Sequence, residues 1–196
     1  MPINILVVQY QQKMEKSDKK QVTIYCSSSN KIPEIYFSHT EQIVREIVNN
    51  GYEICYGGGE RGLMGVVANT TIKLGGKITG IIPWFMIERE WEHKGITNMI
   101  YVETMHERKI KLIENSCAVI ALPGGTGTID ELFDVMSLKK LGLFPFPIII
   151  VNINGFYDSL NELTKRMIDE SFLDISDGEI WKMVTTVDDV IKGISP

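Results

Sequence analysis

The chain has 196 residues, of which 44% are hydrophobic and 23% are charged, a composition typical of globular proteins. This length is enough for one sizeable core, and we expect a single domain. The formal net charge of −5 argues against a sequence-independent nucleic-acid binder, because such proteins need a basic face that neutralises phosphates. A local basic pocket for a single phosphate stays compatible with this charge.

The apolar segments are short. None approaches the roughly 20 residues that span a bilayer, so we expect no membrane association. The first apolar stretch, residues 3–8, lacks the basic flank and the length of a signal peptide, and this favours a cytoplasmic protein. Cys26, Cys55 and Cys117 have no metal-ligand spacing and fall within or at the ends of predicted strands. We therefore expect buried thiols with no disulfide and no metal site.

The chain changes character near residue 22. Residues 9–21 are polar and rich in lysine without periodicity, which predicts an N-terminal arm or extension over residues 1–21. From Val22 onward, apolar runs alternate with amphipathic segments, which predicts one domain over residues 22–196. Strands are predicted at 22–26, 52–56, 77–82, 99–102, 117–122, 147–151 and 181–187.

Helices are predicted between these strands. One ends at Asn50-Gly51, a second ends before Gly75-Gly76, and a third begins at Met105. Three more are predicted over residues 128–141, 156–170 and 188–194. Strands that alternate with helices imply βαβ crossovers, and therefore an α/β fold with an open, mostly parallel sheet covered by helices on both faces.

Two glycine-rich turns each follow a predicted strand and precede a predicted helix. In open α/β sheets, ligands bind outside the carboxyl ends of the strands, where helix N-termini attract anions. The first turn, residues 57–62, contains Gly58 and Gly59 and has neither a nucleotide triphosphatase ending nor strict dinucleotide spacing. Ligand contact and a purely steric need for glycine both stay open for this turn.

The second turn, residues 123–127, leads into Thr128 and Glu131. Two interpretations of Glu131 stay open: a catalytic carboxylate, or a capping box in which it returns to the helix N-cap amide. Arg108 has its own alternatives, because it either converges with Glu131 at a strand end or lies on a solvated helix face with neighbouring acids. His39, His93 and His106 are isolated in sequence and predicted to lie at the surface, although His106 is close enough to Arg108 to line the same pocket. Glu88 and Glu90 follow the third strand, where a carboxylate either binds a ribose or base or is simply exposed.

Three motifs resemble those of the LONELY GUY (LOG) family. They are Tyr-Gly-Gly-Gly-x-x-Gly-Leu-Met-Gly at 56–65, Met-His-Glu-Arg-Lys at 105–109 and Pro-Gly-Gly-x-Gly-Thr-x-x-Glu at 123–131. Family members are cytokinin riboside 5′-monophosphate phosphoribohydrolases, long mislabelled lysine decarboxylases. The resemblance covers roughly residues 22–173 and implies a Rossmann-like three-layer fold, usually as a homodimer. It also implies hydrolysis of a purine nucleoside 5′-monophosphate to free base and ribose 5-phosphate.

The resemblance also assigns roles. Arg108 and Glu131 match the catalytic arginine and glutamate of the family. The positions that match substrate-binding residues are Glu90, Lys109, Gly124, Gly125, Thr126, Gly127 and Thr128, with Asp130 as a secondary candidate. No cofactor is implied, pyridoxal phosphate included, and the expected partner is a small nucleotide. Serines at 27–29, Thr126 and Asp130 depart from the usual pattern, so the preferred base, adenine or N6-isoprenylated adenine, stays open.

Two other functional classes are compatible with such a fold. A non-catalytic carrier of a nucleotide or cofactor would keep the glycine turns but would need no catalytic carboxylate. A single-stranded DNA-binding relative would need a basic, aromatic-lined groove, which the acidic balance of this chain disfavours. The presence of both Arg108 and Glu131 favours the enzyme.

Overall fold

The computed structural model describes residues 20–87, 91–96 and 98–194. Within these residues, seven strands form a single sheet in which all neighbours are parallel, so the predicted α/β fold is confirmed. The strands are β1 Gln21–Tyr25, β2 Glu53–Tyr56, β3 Ile78–Pro83, β4 Asn98–Val102, β5 Ser116–Ala121, β6 Ile148–Val151 and β7 Lys182–Val184. The helices are α1 Glu34–Asn49, α2 Gly62–Lys73, α3 Trp84–Ile87, α4 Met105–Ile113, α5 Thr126–Lys140, α6 Asp158–Asp169 and α7 Val187–Ile194.

Helices cover both faces of this sheet, which makes the fold Rossmann-like with three layers. Val22 and Ile24 of β1 pack in one apolar cluster with residues of α1, α2 and α7. Tyr25 of the same strand packs in a second cluster, with residues of α4, α5 and α6. Successive strand residues therefore face opposite layers, and both faces are buried, as expected for a parallel sheet.

The strand order is β4-β3-β2-β1-β5-β6-β7. The chain builds outward from β1 to β4 and then returns to the other side of β1 with β5, so the order reverses between β1 and β5. Tyr25 pairs with Ala121 and Ile24 pairs with Tyr56, which brings the carboxyl ends of β1, β2 and β5 to one level. The loops that follow these strands meet at the point where open α/β sheets bind ligands.

Some element boundaries differ from the sequence prediction. α5 begins at Thr126, two residues earlier than predicted, because Gly125 is extended and serves as the N-cap. β7 ends at Val184 because the next residues start α7, where the Thr186 hydroxyl accepts a hydrogen bond from the Asp189 amide at 3.2 Å. The short helix α3 was not predicted, and β3 continues one residue beyond the predicted strand, to Pro83.

Three sequence expectations concern the whole chain rather than single elements. The N-terminal arm predicted over residues 1–21 lies outside the described residues as far as residue 19, and Gln21 already belongs to β1. Cys26 and Cys55 are buried as predicted, and Cys117 is partly buried. Among the helices described, none combines the length and the apolar character that crossing a membrane requires.

Candidate active site

A pocket of about 490 Å³ opens at the carboxyl ends of β1, β2 and β5, a volume suited to a small ligand. Segments far apart in sequence line it. From the loops after β1 and β2 come Cys26, Ser27, Ser28, Ser29, Gly57, Gly59 and Arg61, with Met64 from α2. Most of the remaining lining comes from Ile82, Met86, Trp91, Met105, Arg108, Gly125, Thr126, Gly127, Thr128 and Glu131.

Arg108 is buried and fixed at three points. α4 begins at Met105 because the Thr104 hydroxyl caps it by accepting from the Glu107 amide at 3.1 Å. From this helix, Arg108 Nε donates to the Ile81 carbonyl oxygen at 3.1 Å and Nη2 donates to the Gly57 carbonyl oxygen at 3.3 Å. The remaining nitrogen, Nη1, donates to Glu131 Oε1. The solvated-helix interpretation of Arg108 is therefore wrong, because the guanidinium points into the protein.

Glu131 lies on α5 and is also buried, with a side chain only 11% exposed. Thr128 is the third residue of α5 rather than its N-cap, so the capping-box interpretation of Glu131 is wrong. Burial raises the pKa of Glu131 above its usual value, and the Arg108 charge opposes part of this shift. The carboxyl group is therefore held at the pocket wall by a cation, in an environment that penalises its charge.

The first turn of α5 borders the pocket. Gly125, Thr126 and Gly127 are exposed, whereas Thr128 is buried. The leading amides of a helix have no intrahelical acceptor, and the N-cap Gly125 has no side chain that can cap them. Donor groups and the positive end of the helix dipole therefore face the pocket together. Gly124 is not part of the lining; a β-carbon there would collide with the Thr128 side chain.

The first glycine turn divides its roles among three glycines. Gly57 and Gly59 line the pocket, and a β-carbon on Gly57 would collide with the Arg108 guanidinium. Gly58 does not line it: its φ is +78°, and its carbonyl oxygen accepts from the His93 amide at 2.9 Å. Gly58 shapes the turn, while Gly57, absent from the candidates that the sequence nominated, leaves room for Arg108.

Lys109 and Asp130 stand beside the pocket rather than in its wall. Lys109 Nζ donates to Asp130 Oδ1 at 2.8 Å and lies 3.6 Å from Asp134 Oδ1. Burial disfavours the charge on Lys109, but the two carboxylates outweigh it and hold the pKa of Lys109 above its usual value. This cluster ties α4 to α5, and so supports the two helices that carry Arg108 and Glu131.

Four further residues that the sequence singled out are Glu88, Glu90, His106 and Cys26. Glu88 and Glu90 lie outside the described residues. His106 is exposed and is not among the pocket-lining residues. Cys26 lines the pocket, but burial raises the pKa of its thiol, so this group stays protonated and is a poor nucleophile.

The sequence did not nominate Arg61 or the serine loop, residues 27–29, as site residues, although ligand contact stayed open for the turn that contains Arg61. The Ser27 amide donates to the Pro123 carbonyl oxygen at 3.2 Å, which joins the loop after β1 to the turn before α5. Open α/β sheets generally bind ligands at the loops where the strand order reverses, and the loop after β1 is one of these. Recognising this loop requires the strand order, which local sequence patterns do not specify.

The first turn of α5 and Glu131 can act on the same ligand. Glu131 follows Thr128 by three residues, so both lie on one face of α5, and helical side chains lean toward the N-terminus. An anion at the first turn of α5 would therefore place the rest of its molecule beside the Glu131 carboxylate. That carboxylate can stabilise positive charge on the ligand and accept a proton from water.

Comparison with known proteins gives consistent results. The family model described as "Possible lysine decarboxylase" matches residues 64–194. Cytokinin riboside 5′-monophosphate phosphoribohydrolase LOG2 of Arabidopsis thaliana is 35% identical over 158 residues, which cover 81% of this chain and 74% of that protein. LOG5 of the same plant is 32% identical over 177 residues, which cover 90% of this chain and 78% of LOG5.

A solved structure shares the fold. The molybdenum cofactor carrier protein of Chlamydomonas reinhardtii superposes with a TM-score of 0.66 and 14% identity, covering 90% of this chain and 96% of the carrier. At that identity, the likeness concerns the fold alone. The sequence comparisons also establish the family, because the family model matches more than half of the chain and both plant relatives exceed 30% identity. The chain belongs to the LONELY GUY (LOG) family.

Proposed function

We propose that the protein hydrolyses the N-glycosidic bond of purine riboside 5′-monophosphates, releasing the free base and ribose 5-phosphate. The observation that carries this proposal is the buried pair of Arg108 and Glu131 in the wall of a pocket that also holds the N-terminus of α5. The phosphoribohydrolase names of the plant relatives support the same reaction.

The 5′-phosphate binds at the first turn of α5. Free amides and the helix dipole favour an anion there, and the Thr126 hydroxyl adds a donor. Glu131 follows Gly127 by four residues, slightly more than one helical turn and about 6 Å of rise, which is comparable to the reach from a 5′-phosphate across a ribose. Phosphate binding thereby sets the anomeric carbon beside the carboxylate, so that binding energy positions the reacting bond.

Bond cleavage then proceeds as in glycoside hydrolysis. The C–N bond breaks with its electron pair going to the base, and positive charge develops on the ribose. Ionised Glu131 stabilises this charge and takes a proton from the attacking water, whose oxygen bonds to the anomeric carbon. The departing base takes up a proton from the solvent, and Glu131 later returns the proton that it accepted to the solvent, so that one water molecule is consumed overall. Arg108 holds Glu131 in place and favours its ionised form.

The base faces an apolar wall in this proposal. Ile82, Met86, Trp91 and Met105 line the pocket and supply aromatic and thioether surface for a purine ring. Adenine and N6-isopentenyladenine are both candidates for the base that packs against this wall. A role in cytokinin formation requires that the protein accept N6-isopentenyladenine.

Chromatographic detection of free base tests the proposal. The protein and its Glu131→Gln variant are incubated separately with AMP and with N6-isopentenyl-AMP. We expect base release by the unaltered protein and loss of at least 99% of it in the variant, while comparison of the two substrates ranks the bases. Nucleotide binding without any base release would instead support the carrier function that the sequence also allows.

We also propose that the protein is a homodimer, as the family resemblance implies. Trp84, Phe85 and Tyr101, on α3 and β4, are exposed apolar residues that would be covered in such an assembly. Light scattering after size-exclusion chromatography measures the mass directly, and a monomer at micromolar concentration would contradict the proposal. The cytoplasmic location stays a prediction.

We further propose that residues 22–196 form one domain that carries the activity. Gln21 and Val22 already belong to β1, whose end borders the pocket. A variant that lacks residues 1–19 is therefore expected to release base at the rate of the full chain. A large loss of activity in that variant would show that the predicted arm contributes to the site.

A further inference from the structure

Arg61 is a cation at the pocket that the reaction described above does not use. It precedes α2 as its N-cap residue and is exposed at the pocket lining. The other two cations near the site already form ion pairs: Arg108 pairs with Glu131, and Lys109 pairs with Asp130. Within residues 20–87, 91–96 and 98–194, no acidic side chain forms an ion pair with Arg61.

The backbone around Arg61 is held against the serine loop. The Gly62 amide donates to Asn30 Oδ1 at 2.7 Å, and the Leu63 amide donates to the Ser27 carbonyl oxygen at 2.9 Å. Gly62 has a φ of +60°, and a β-carbon there would lie 2.6 Å from the Ser28 carbonyl carbon. Glycine is therefore required, and the close approach places Gly62, the residue after Arg61, directly against the backbone of Ser28 and Ser29.

The serine loop is in turn joined to the turn before α5 by the hydrogen bond from the Ser27 amide to the Pro123 carbonyl oxygen. Arg61, the serine loop and the first turn of α5 thus form one continuous rim of the pocket. A phosphate at this rim would meet amide and hydroxyl donors. Among the described lining residues, Arg61 is the only cation without an acidic partner, because Arg108 is paired with Glu131. Glu131 in the same pocket repels a phosphate, and a positive charge at the rim offsets that repulsion.

We infer that the Arg61 guanidinium binds the phosphate group of the ligand and so selects phosphorylated over unphosphorylated ribosides. The identity of the ligand as a nucleoside monophosphate rests on the proposed function, whereas recognition of a phosphate at this rim does not. Arg61 acts in binding and not in bond cleavage, because it contributes equally before and during the reaction. A planar guanidinium with several donors suits phosphate oxygens.

Calorimetry with the reaction product ribose 5-phosphate tests this inference without turnover. Arg61→Gln is expected to weaken ribose 5-phosphate binding about ten-fold, the scale of one hydrogen bond to a charged group. Binding of adenine, which has no phosphate, is expected to stay within two-fold. Arg166→Gln is the matched control, because it removes the same charge from an exposed position on α6 and is expected to change neither affinity.

Kinetics with AMP supply a second measurement. Arg61→Gln is expected to raise KM about ten-fold with kcat within two-fold, and Arg61→Lys to recover part of the loss. Unchanged affinity for ribose 5-phosphate, or an equal loss for adenine, would overturn the inference. Absence of base release by the unaltered protein would contradict the proposed function alone, and the calorimetric comparison would still decide the role of Arg61.

Discussion

Arg108 and Glu131, which are 23 residues apart in sequence, form a buried ion pair that joins α4 to α5. A buried carboxylate loses hydration, and the adjacent guanidinium replaces part of that interaction. The same guanidinium donates hydrogen bonds to the carbonyl oxygens of Ile81, in β3, and of Gly57, which follows β2. One side chain therefore fixes the position of the proposed catalytic carboxylate relative to the sheet.

Glu131→Gln is predicted to lower kcat for base release by about 10²–10⁴-fold, the usual contribution of a general base. The amide keeps the size of the carboxylate but neither its charge nor its proton affinity, so AMP is still expected to bind. Glu162→Gln, on the exposed surface of α6, is the control and should leave kcat unchanged. Turnover of Glu131→Gln near that of the unaltered protein would assign the chemistry to another group.

The pH dependence of kcat/KM is predicted to show an acidic limb set by Glu131. Burial raises the pKa of this carboxyl, and its ionised form is the active one, so activity falls as the pH drops through the raised pKa. The limb should lie above the value of about 4.3 that is usual for glutamate. Arg108→Gln removes the opposing charge and should move the limb to still higher pH. A limb at or below the usual glutamate value would contradict the assignment.

Gly57→Ala and Gly59→Ala are predicted to differ sharply in activity. A β-carbon on Gly57 collides with the Arg108 guanidinium, whereas one on Gly59 meets the flexible Met64 side chain, with the nearest atom at 3.0 Å. Displacement of Arg108 releases Glu131, so Gly57→Ala should lose about 100-fold or more in kcat. Gly59→Ala should lose less than about five-fold, and equal losses in the two variants would contradict the proposed steric role of Gly57.

Gly62→Ala is predicted to be the more destabilising member of a matched pair with Gly51→Ala. Both glycines have positive φ, 60° and 79°, so each alanine costs about 1–2 kcal/mol in backbone conformation. The β-carbon at Gly62 also meets the backbone of Ser28 and Ser29, whereas none of the described residues lies within 4 Å of a β-carbon at Gly51. Denaturant unfolding measures both changes, and equal losses would show that the serine loop yields without cost.

Gly127→Ala is predicted to raise KM for AMP with little effect on stability. A β-carbon at Gly127 has no neighbour within 4 Å in the described part of the chain and projects from a pocket-lining position at the first turn of α5. Alanine suits a helix better than glycine, so the free energy of unfolding should be unchanged or slightly higher. Steric interference with the phosphate should weaken ribose 5-phosphate binding but not adenine binding. A normal KM in this variant would place the phosphate elsewhere.

The alternation of strands and helices could be predicted from the sequence, because apolar periodicity and glycine turns are local signals. The same signals placed Gly125 to Glu131 at a strand end, where a ligand site is expected. Boundaries were less well determined: side-chain caps such as Thr186, and an extended residue such as Gly125, decide where a helix begins.

The contacts of Glu131 could not be predicted from the sequence. The local pattern fitted a capping box and a catalytic carboxylate equally well, and the partner that distinguishes them comes from α4. The steric role of Gly57 and the position of Arg61 on the pocket rim also depend on which strands are neighbours. Strand order arises from packing among distant segments, and short-range periodicity does not specify it.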